Sequence, residues 1–354
     1  MGRLAPEQFL RFSQACPGKL ECTFAGAEAN VAASVSWLGG NAVFVSALPK
    51  HAIADACVRT LQGLGVNTQY VQRTDVGRLG LYFAETGANQ RPGNVIYDRD
   101  YSSVSMTPGD AYDWDEIFSD AGWLHVSGIT PALSQCAADA VLMAAREAKA
   151  AGVMVSCDLN FRKKLWQWDA SVSPRELAEK TMRKILPFVD VVIGNEEDAQ
   201  DVLGIYAENT DVSAGHLSTD RYPEVAAKIV EQFPNIGKVA ITLRESISAS
   251  HNNWGAMLYS ADEKSACFAP LKEGEYSPYE IRDIVDRIGG GDSFAGGLIF
   301  ALNTPDISAQ DQTALSFAVA ASCLAHSIKG DFNFSSRAEV EALMNGSGSG
   351  RVVR

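Results

Sequence analysis

Short apolar, β-branched runs alternate with segments of helical periodicity along most of this chain. The strand-like runs cover residues 42–48, 123–126, 153–158, 189–194 and 238–243. The helical patterns cover residues 28–38, 53–64, 134–151, 173–186 and 222–232, and three more follow at 292–302, 311–327 and 336–344. Because strands that alternate with helices form βαβ units, this order predicts an α/β fold on a mainly parallel sheet. Such open sheets bind ligands at the carboxyl ends of their strands.

One stretch interrupts the alternation. Residues 78–101 contain the strand-like runs LGLYFAE and NVIYD, joined by the turn-rich segment GANQRPG with no helix between them. This predicts a β hairpin inserted into the α/β domain, which suits a lid or an oligomer contact. Residues 204–221 are polar and predict a loop, and the tail at 346–354 predicts a flexible segment.

Composition excludes several classes of protein. Lys and Arg total 30 against 43 Asp and Glu, a formal net charge of −13, which argues against binding to nucleic-acid phosphates. No apolar run approaches the roughly 20 residues of a membrane span, and the amino terminus lacks the apolar core of a signal peptide, so we expect a cytoplasmic protein. The 7 cysteines and 5 histidines are scattered without CxxC or HExxH motifs, which argues against a disulfide scaffold and a Cys or His metal site.

The sharpest local signal is DRIGGGDSFAGG at residues 286–297. Three successive glycines leave backbone amides unobstructed, and the helix that follows directs its amino-terminal amides and dipole at the same place. Asp292, in the first turn, has two interpretations. It is either the cap of a tight turn or a carboxylate beside a phosphate site that accepts a proton from a substrate hydroxyl. No Walker loop and no GxGxxG follows a strand, so a nucleotide would be held at this late glycine-rich segment.

A second signal lies at residues 24–40, FAGAEANVAASVSWLGG. The turn at Ala25 and Gly26 leads into a helix of small residues, and Asn30 is polar on an otherwise apolar face. An asparagine in such a place is usually a capping or satisfied core residue. Together with residues 286–297, however, the segment is more specific.

These two segments resemble the signature motifs of the PfkB, or ribokinase-like, carbohydrate kinases, and the resemblance covers essentially the whole chain in order. Within that family the chain is most similar to the 2-keto-3-deoxygluconate kinase group. The supporting segments are GLYF with its tyrosine at 82, YDR at 97–99, DLNFRKKLW at 158–166, GNEEDA at 194–199 and KGDFN at 329–333. The resemblance implies one three-layer α/β/α kinase domain over residues 1–345, with a small β lid at about 78–104 and part of 10–25.

The resemblance also implies roles for individual residues. Asp292 matches the catalytic base, and the anion hole for the transferred phosphoryl group is matched by Gly289, Gly290 and Gly291. The substrate positions that it implies are Gly26, Asn30, Tyr82, Tyr97, Arg99, Arg162 and Asp331. Arginine suits a sugar acid because its planar fork pairs with two carboxylate oxygens, whereas an arginine considered alone is usually in a surface salt bridge.

The nucleotide and metal positions are implied in the same way. The nucleotide-phosphate positions are Thr242 and Arg244, together with Gly289 and Gly291. Asn195 and Asp198 match the motif that organises magnesium, with Asp in place of the family's Glu, and the shorter carboxylate would act through water.

The start of the chain departs from the family pattern. Family members begin with a first strand that reaches the substrate, whereas this sequence begins with MGRLAP, where such a strand would be finishing. Either the start is shortened or a central strand is missing. We therefore expect a sheet with unpaired ladder positions and a substrate pocket with one wall fewer.

The implied activity is ATP-dependent phosphorylation of a small sugar acid, 2-keto-3-deoxygluconate above others, at its terminal hydroxyl, with ATP and Mg²⁺ as cofactors. Two alternatives stay open: a fructokinase or ribokinase type of enzyme for a neutral sugar, and a weakly catalytic binding protein of the same fold. The expected partners are the sugar acid and ATP, with neither nucleic acid nor membrane. A homodimer or higher homo-oligomer through the lid is also implied.

Overall fold

A computed structural model describes residues 1–195, 197–206 and 221–346 of the chain. Its strands are β1 (Gly2–Ala5), β2 (Glu21–Phe24), β3 (Ser46–Pro49), β4 (Val71–Thr74), β5 (Leu81–Glu85), β6 (Asn94–Asp98), β7 (Trp123–Ser127), β8 (Met154–Asp158), β9 (Val191–Asn195), β10 (Lys238–Ser248), β11 (His251–Ser260), β12 (Ser265–Ala269), β13 (Leu271–Lys272), β14 (Glu275–Tyr276) and β15 (Tyr279–Arg282). Its helices are α1 (Phe12–Ala15), α2 (Ala27–Trp37), α3 (Ala52–Gly63), α4 (Ser103–Met106), α5 (Trp114–Phe118), α6 (Gln135–Ala150), α7 (Pro174–Ile185), α8 (Asp198–Leu203), α9 (Tyr222–Gln232), α10 (Gly290–Leu302), α11 (Pro305–Ser308), α12 (Asp311–Ala325) and α13 (Arg337–Met344). Short 3₁₀ turns lie at Gly109–Ala111 and Leu186–Phe188.

The larger sheet is the frame of the molecule. Its strand order is β12, β11, β10, β9, β8, β7, and β15 also pairs with β11. Strands β7 to β10 run parallel to one another, whereas β11, β12 and β15 extend them through antiparallel pairs. The predicted parallel sheet is confirmed, and it carries an antiparallel extension.

Helices cover both faces of this sheet. Helices α6, α7, α8 and α9 contribute to the core on one face, and α2, α10 and α12 to the core on the other. Val192 packs into the first core, whereas its neighbours Val191 and Ile193 pack into the second. Because both faces are covered, β9 has no polar side, and burying each such side chain stabilises the fold by about 1.5–3 kcal/mol. The predicted three-layer α/β/α arrangement is confirmed.

A second sheet forms the lid, with strand order β2, β1, β5, β6. The predicted hairpin is confirmed as β5 and β6, which place Tyr82 opposite Tyr97. Since neighbouring residues of a strand point to opposite faces, the register defines two rows across the sheet. The inner row contains Arg3, Tyr82 and Tyr97, and the outer row contains Cys22, Leu4, Phe83 and Ile96.

Strands β3 and β4 form a separate parallel pair. Within the described residues no ladder joins β3 to β7, although β3 and the residues Ile129 and Thr130 after β7 line one small cavity of about 90 Å³. Gly2–Ala5, expected to finish a central strand, instead pairs inside the lid sheet. The unpaired ladder positions that we expected therefore lie between β3 and β7.

The predicted helices of eight or more residues match the structure within two residues at each end. The strand predicted at 42–48 begins only at Ser46, because Val43 is exposed and makes an isolated bridge to Asn67. The strand predicted at 238–243 continues to Ser248, because β11 pairs along its whole length. Most of the loop predicted at 204–221 and the tail predicted at 346–354 lie outside the described residues. The assignment of residues 1–345 to a single domain stays a prediction.

Candidate active site

A cavity of about 310 Å³ lies where the carboxyl ends of β8, β9 and β10 meet the amino end of α10 and the inner face of the lid. Thirteen of the predicted site residues line it, namely Asn30, Tyr82, Tyr97, Arg99, Arg162, Asn195, Asp198, Thr242, Arg244, Gly289, Gly291, Asp292 and Asp331. Two do not: Gly26 lines the smaller cavity instead, and Gly290 is buried beneath the loop. The fold therefore brings together residues that are spread over 300 positions of the chain.

Asp292 lies in the first turn of α10, and its carboxylate is held by Asn30 from α2. The Asn30 amide Nδ2 donates to Oδ2 of Asp292 over 2.6 Å, while the Asn30 Oδ1 accepts the backbone N–H of Gly26. Burial raises the pKa of Asp292 to about 7; the Asn30 hydrogen bond and Arg162 lower it, and the charge of Asp331 raises it. A carboxylate tuned to this range can accept a proton at neutral pH. Asn30 therefore orients the proposed base, in addition to lining the cavity.

The three glycines before Asp292 have different structural reasons. Gly289 has φ +85°, and a Cβ there would lie 2.3 Å from the carbonyl oxygen of Asp331. Gly290 packs against His326, whereas a Cβ on Gly291 would meet nothing within 4 Å, because this residue borders the open cavity. Amides in the first turn of a helix have no intrahelical acceptor. Among the described residues the amides of Gly291 and Asp292 have no acceptor at all, so both are available to an anion.

A buried network connects the lid to the catalytic loop. Arg3 of β1 donates to Asp331 over 2.8 Å and to Asp286 over 2.6 Å, and all three side chains are buried. The Tyr82 hydroxyl donates to both oxygens of Asp331, at 2.7 and 2.8 Å. Burial alone would lower the pKa of Arg3, but Asp286, Tyr82 and Asp331 together raise it above its ordinary value. Tyr82 and Asp331 thus line the cavity while already bound to each other.

Two arginines face the cavity near the sugar side of Asp292. Arg99 follows β6, and its guanidinium carbon lies 4.7 Å from the centre of the Tyr97 ring. Its Nε is buried without a hydrogen-bond partner among the described residues. Arg162 follows β8 and donates only to the carbonyl of Phe161 within the described part of the chain. Neither guanidinium forms an ion pair with a described carboxylate, so both are free to bind an anionic ligand.

The predicted nucleotide positions lie at the end of β10. Thr242 is buried beside Asn195 of β9, and its hydroxyl lies 3.4 Å from the carbonyl oxygen of Gly194. Arg244 is exposed to the same cavity. The structure adds Arg287, which lines the cavity next to the glycine loop and was not selected from the sequence.

Asn195 and Asp198, the predicted magnesium positions, are engaged with backbone amides. Asp198 accepts the N–H of Phe161 at 3.0 Å and of Asn195 at 2.9 Å. The Asn195 Oδ1 accepts the N–H groups of Glu197 and Asp198. Asp158, at the end of β8, lies close enough for mutual repulsion: burial first, then the charges of Asp198 and Asp292, raise its pKa well above the ordinary value.

Sequence reasoning missed four residues that line the cavity: Asp158, Asn160, Trp254 and Arg287. Asp158 and Asn160 belong to the DLNFR segment, in which only the arginine was singled out. Asn160 has φ +39° and a buried, unpartnered Oδ1, and no sequence signal short of the whole motif indicates this. Trp254 comes from β11, a strand that the sequence pattern did not predict, and its buried indole N–H has no partner among the described residues.

Within the described residues, no helix has the length and apolar character needed to cross a membrane. The same residues contain no group of three or more His, Cys, Asp or Glu side chains placed to hold a metal ion.

Comparison with known proteins completes the description of the site. The model of the "pfkB family carbohydrate kinase" matches residues 11–336. A 2-dehydro-3-deoxygalactonokinase of Haloferax volcanii is 31% identical over 350 residues, which cover 99% of this chain and 96% of that protein. A 2-dehydro-3-deoxygluconokinase of Thermoproteus tenax is 26% identical over 334 residues, covering 92% and 88%. The crystal structure of a 2-dehydro-3-deoxygluconokinase from Thermotoga maritima has a TM-score of 0.86 at 40% identity, covering 98% of this chain and 97% of that one.

Proposed function

The chain belongs to the pfkB family of carbohydrate kinases, and from that premise we propose that it transfers the terminal phosphoryl group of ATP to the terminal hydroxyl of a small sugar acid. The substrate we propose is 2-keto-3-deoxygluconate, the acid named for two of the relatives above. The observation that carries the proposal is the pair Arg99 and Arg162, which face the cavity without a carboxylate partner among the described residues.

The charge on these arginines favours an acid over a neutral sugar. A guanidinium that is partly withdrawn from water loses hydration, which only an anion or several hydrogen bonds can replace. Arg99 loses enough hydration for burial to lower its pKa. A substrate carboxylate near Arg99 and Arg162 would supply the missing partner, whereas a ketohexose would leave both cations unpaired.

Asp292 is the general base in this proposal. Its carboxylate would accept the proton of the substrate's terminal hydroxyl as that oxygen attacks phosphorus. Because its pKa is raised to about 7, the carboxylate is a stronger base than an ordinary aspartate and is still about half ionised at neutral pH. Asn30 holds Oδ2, which leaves Oδ1 to face the hydroxyl.

The amides of Gly291 and Asp292 would stabilise the negative charge that develops during transfer. They lie at the amino end of α10, where the helix dipole adds a positive potential. Bound Mg-ATP supplies the phosphoryl group and the metal charge that offsets the repulsion between phosphate and hydroxyl oxygens. The glycine loop and Thr242 border the part of the cavity in which the phosphates would lie.

The residues at the ends of β8 and β9 fit a magnesium ion that is held through water. Asp158 and Asp198 both line the cavity, and the charge of Asp198 raises the pKa of Asp158. A cation between them would remove this repulsion. Magnesium usually keeps several waters and takes one or two carboxylates together with phosphate oxygens. Asp158, Asn195 and Asp198 would therefore hold it, without the three-ligand cluster that direct binding requires.

The lid would keep water away from the reacting atoms. Its inner face presents Tyr82, Val95 and Tyr97 to the cavity, and closure of residues 78–104 over the substrate would exclude water. Exclusion matters because water that reached the phosphoryl group would compete with the sugar hydroxyl.

The test is release of ADP by the purified protein with Mg-ATP and one of five additions. These are 2-keto-3-deoxygluconate, its galactonate epimer, fructose, ribose and buffer without sugar. We expect turnover on a keto-acid at least about 100-fold above that on fructose, since the loss of a charged hydrogen-bonding partner costs about 1.5–3 kcal/mol per contact and two arginines contribute. Comparable turnover on fructose or ribose would contradict recognition of the carboxylate. Silence on every sugar would contradict the proposed substrate class altogether.

We also propose that the protein self-associates through the outer face of the lid. The outer row of Cys22, Leu4, Phe83 and Ile96 crosses all four strands, and Ile96 is 48% exposed. Ile96→Glu is expected to yield monomers in sedimentation equilibrium, whereas Ile53→Glu, at a residue 57% exposed on α3, is the matched control and should leave the assembly intact. A wild-type protein that sediments as a monomer would remove this proposal. The cytoplasmic location also remains a proposal.

A further inference from the structure

Arg287 lies in the same cavity as the proposed base but has no role in the chemistry described so far. It occupies the second position of the DRIGGGD segment, two residues before Gly289. We infer that Arg287 binds the polyphosphate of the phosphoryl donor, and that Arg244 forms the other side of this phosphate clamp. This inference rests on the proposed function, because it assigns a residue to the donor side of the same site.

The charge of Arg287 is not neutralised by its neighbour in sequence. Asp286 is buried, and its carboxylate is used by Arg3 at 2.6 Å, by the N–H of Ile288 at 3.2 Å and by the N–H of Gly330 at 3.2 Å. Within the described part of the chain no carboxylate forms an ion pair with Arg287. The guanidinium is therefore a cation without an acid, although the protein has a net charge of −13.

One terminal nitrogen fixes the guanidinium in place. Nη2 of Arg287 donates to the carbonyls of Ser248 and Ala249, at 3.1 and 2.9 Å, and to Oδ1 of Asn252 at 3.2 Å. These acceptors lie at the turn between β10 and β11 and at the start of β11. Nε and Nη1 have no hydrogen-bond partner among the described residues, and neither is among the buried atoms that lack one. Two donors of the fork are thus held ready for a ligand.

A second arginine lies beside it. The charge of Arg244 contributes to lowering the pKa of Arg287, after burial, so the two cations are close enough to repel. Both line the cavity that contains Gly289, Gly291 and Asp292. Two like charges next to an array of free amides are suited to a ligand with several negative oxygens, because each guanidinium can pair with two of them. A single carboxylate would satisfy only one of the two arginines, which favours a polyphosphate.

The competing interpretation is that Arg287 only anchors the glycine loop to the β10–β11 turn. Arg287→Gln distinguishes the two, because a glutamine amide can still donate to the carbonyls of the turn but carries no charge. Arg282→Gln is the matched control: Arg282 is exposed on β15, five residues earlier, and pairs with Glu280.

The experiment is isothermal titration calorimetry of each purified variant with ADP and with inorganic tripolyphosphate, both without sugar. Arg287→Gln is expected to weaken both ligands by about 10- to 100-fold, since one charge-assisted contact is lost, while Arg282→Gln stays within twofold of wild type. The loss should also shrink as salt rises, because screening weakens the wild-type interaction more than the neutral variant's. Steady-state kinetics should show a higher KM for ATP with an unchanged KM for the sugar acid.

Three outcomes would overturn the inference. Wild-type affinity of Arg287→Gln for both ligands would remove it while leaving the sugar-kinase proposal intact. A fall in melting temperature together with equal losses for ATP and the sugar acid would show that the residue is only an anchor. Absence of binding of either probe to the wild-type protein would also reject it. Conversely, silence on every sugar together with Arg287-dependent binding of tripolyphosphate would refute the substrate proposal alone.

Discussion

The hydrogen bond from Asn30 to Asp292 sets the pH range in which the proposed base can act. The bond is short, 2.6 Å, and it lowers the pKa of a carboxyl group that burial raises to about 7. Asn30→Ala removes the donor and leaves the desolvation in place. The pKa of Asp292 must then rise, so a larger share of the enzyme holds a protonated, inactive base at neutral pH.

The size of the effect follows from the energy of a charged hydrogen bond. Such a bond contributes about 1.5–3 kcal/mol, and about 1.36 kcal/mol corresponds to one pH unit, so the acidic limb moves up by about one to two pH units. At pH 7 the ionised share of the base falls from about one half to between about one tenth and one hundredth, a loss of about 5- to 50-fold in kcat/KM. As the pH rises through the variant's higher pKa, the base ionises and this part of the loss disappears.

The assay is kcat/KM for the sugar acid between pH 6 and pH 9.5 at saturating Mg-ATP, because this parameter reports ionisations of the enzyme before the sugar binds. Ser34→Ala is the matched control: Ser34 is buried one turn further along α2, and its hydroxyl has no hydrogen-bond partner among the described residues. It should leave the acidic limb where the wild-type enzyme has it. A loss in Asn30→Ala that is equal at every pH would refute the reasoning, since it would show that the bond does not control ionisation of the base.

Three further changes test the roles of other groups in the cavity. Asp292→Asn should retain ADP binding by calorimetry but lose about 10²- to 10⁴-fold in kcat, and turnover within a few-fold of wild type would reject the base. Arg162→Ala should raise the KM for the keto-acid about tenfold or more with little change for ATP; Lys163→Ala, at the adjacent exposed residue, is its control, and an equal loss on fructose would contradict carboxylate recognition. Gly291→Ala places a methyl group in open space and should lower kcat with an unchanged melting temperature, whereas Gly289→Ala, at φ +85° and against the carbonyl of Asp331, should destabilise the fold by about 1–3 kcal/mol. Equal melting temperatures for the two glycine variants would contradict this distinction.

Local patterns predicted the elements whose signal lies within a single segment. Helices such as Tyr222–Gln232 were predicted with their observed bounds, because helical periodicity repeats several times within one helix. Strand β11 was not predicted, because its only local signal is a run of mixed polarity, HNNWGAMLYS, and its pairing with β10 and β12 decides its structure. The late start of β3 has the same origin: Val43 is suitable for a strand but is exposed, with one isolated bridge as its pairing.

The site shows the same limit more sharply. Asp292 and the glycine loop could be predicted because consecutive residues carry the anion-binding geometry. The contact between Arg3 and Asp331 joins residues 328 positions apart, and no spacing rule connects them. Asn30 was matched to the sugar by resemblance, yet its amide is bonded to the proposed base. Hydrogen bonds between distant segments decide such roles, and they become visible only in three dimensions.

The buried network around Arg3 explains how an acidic protein can hold free arginines in its cavity. Asp286 and Asp331 lie beside the catalytic loop and would be the nearest partners for Arg287 and Arg99, the two cations assigned to ligands. Arg3 takes both carboxylates at 2.6 and 2.8 Å, and Tyr82 completes Asp331. Because an ion pair buried away from water is not exchanged readily for a weaker one, the carboxylates stay with Arg3, and the ligand-facing arginines keep their charge for the substrate and the donor. Arg3 touches no ligand in this scheme, but by occupying these acids it determines the charge that the cavity presents.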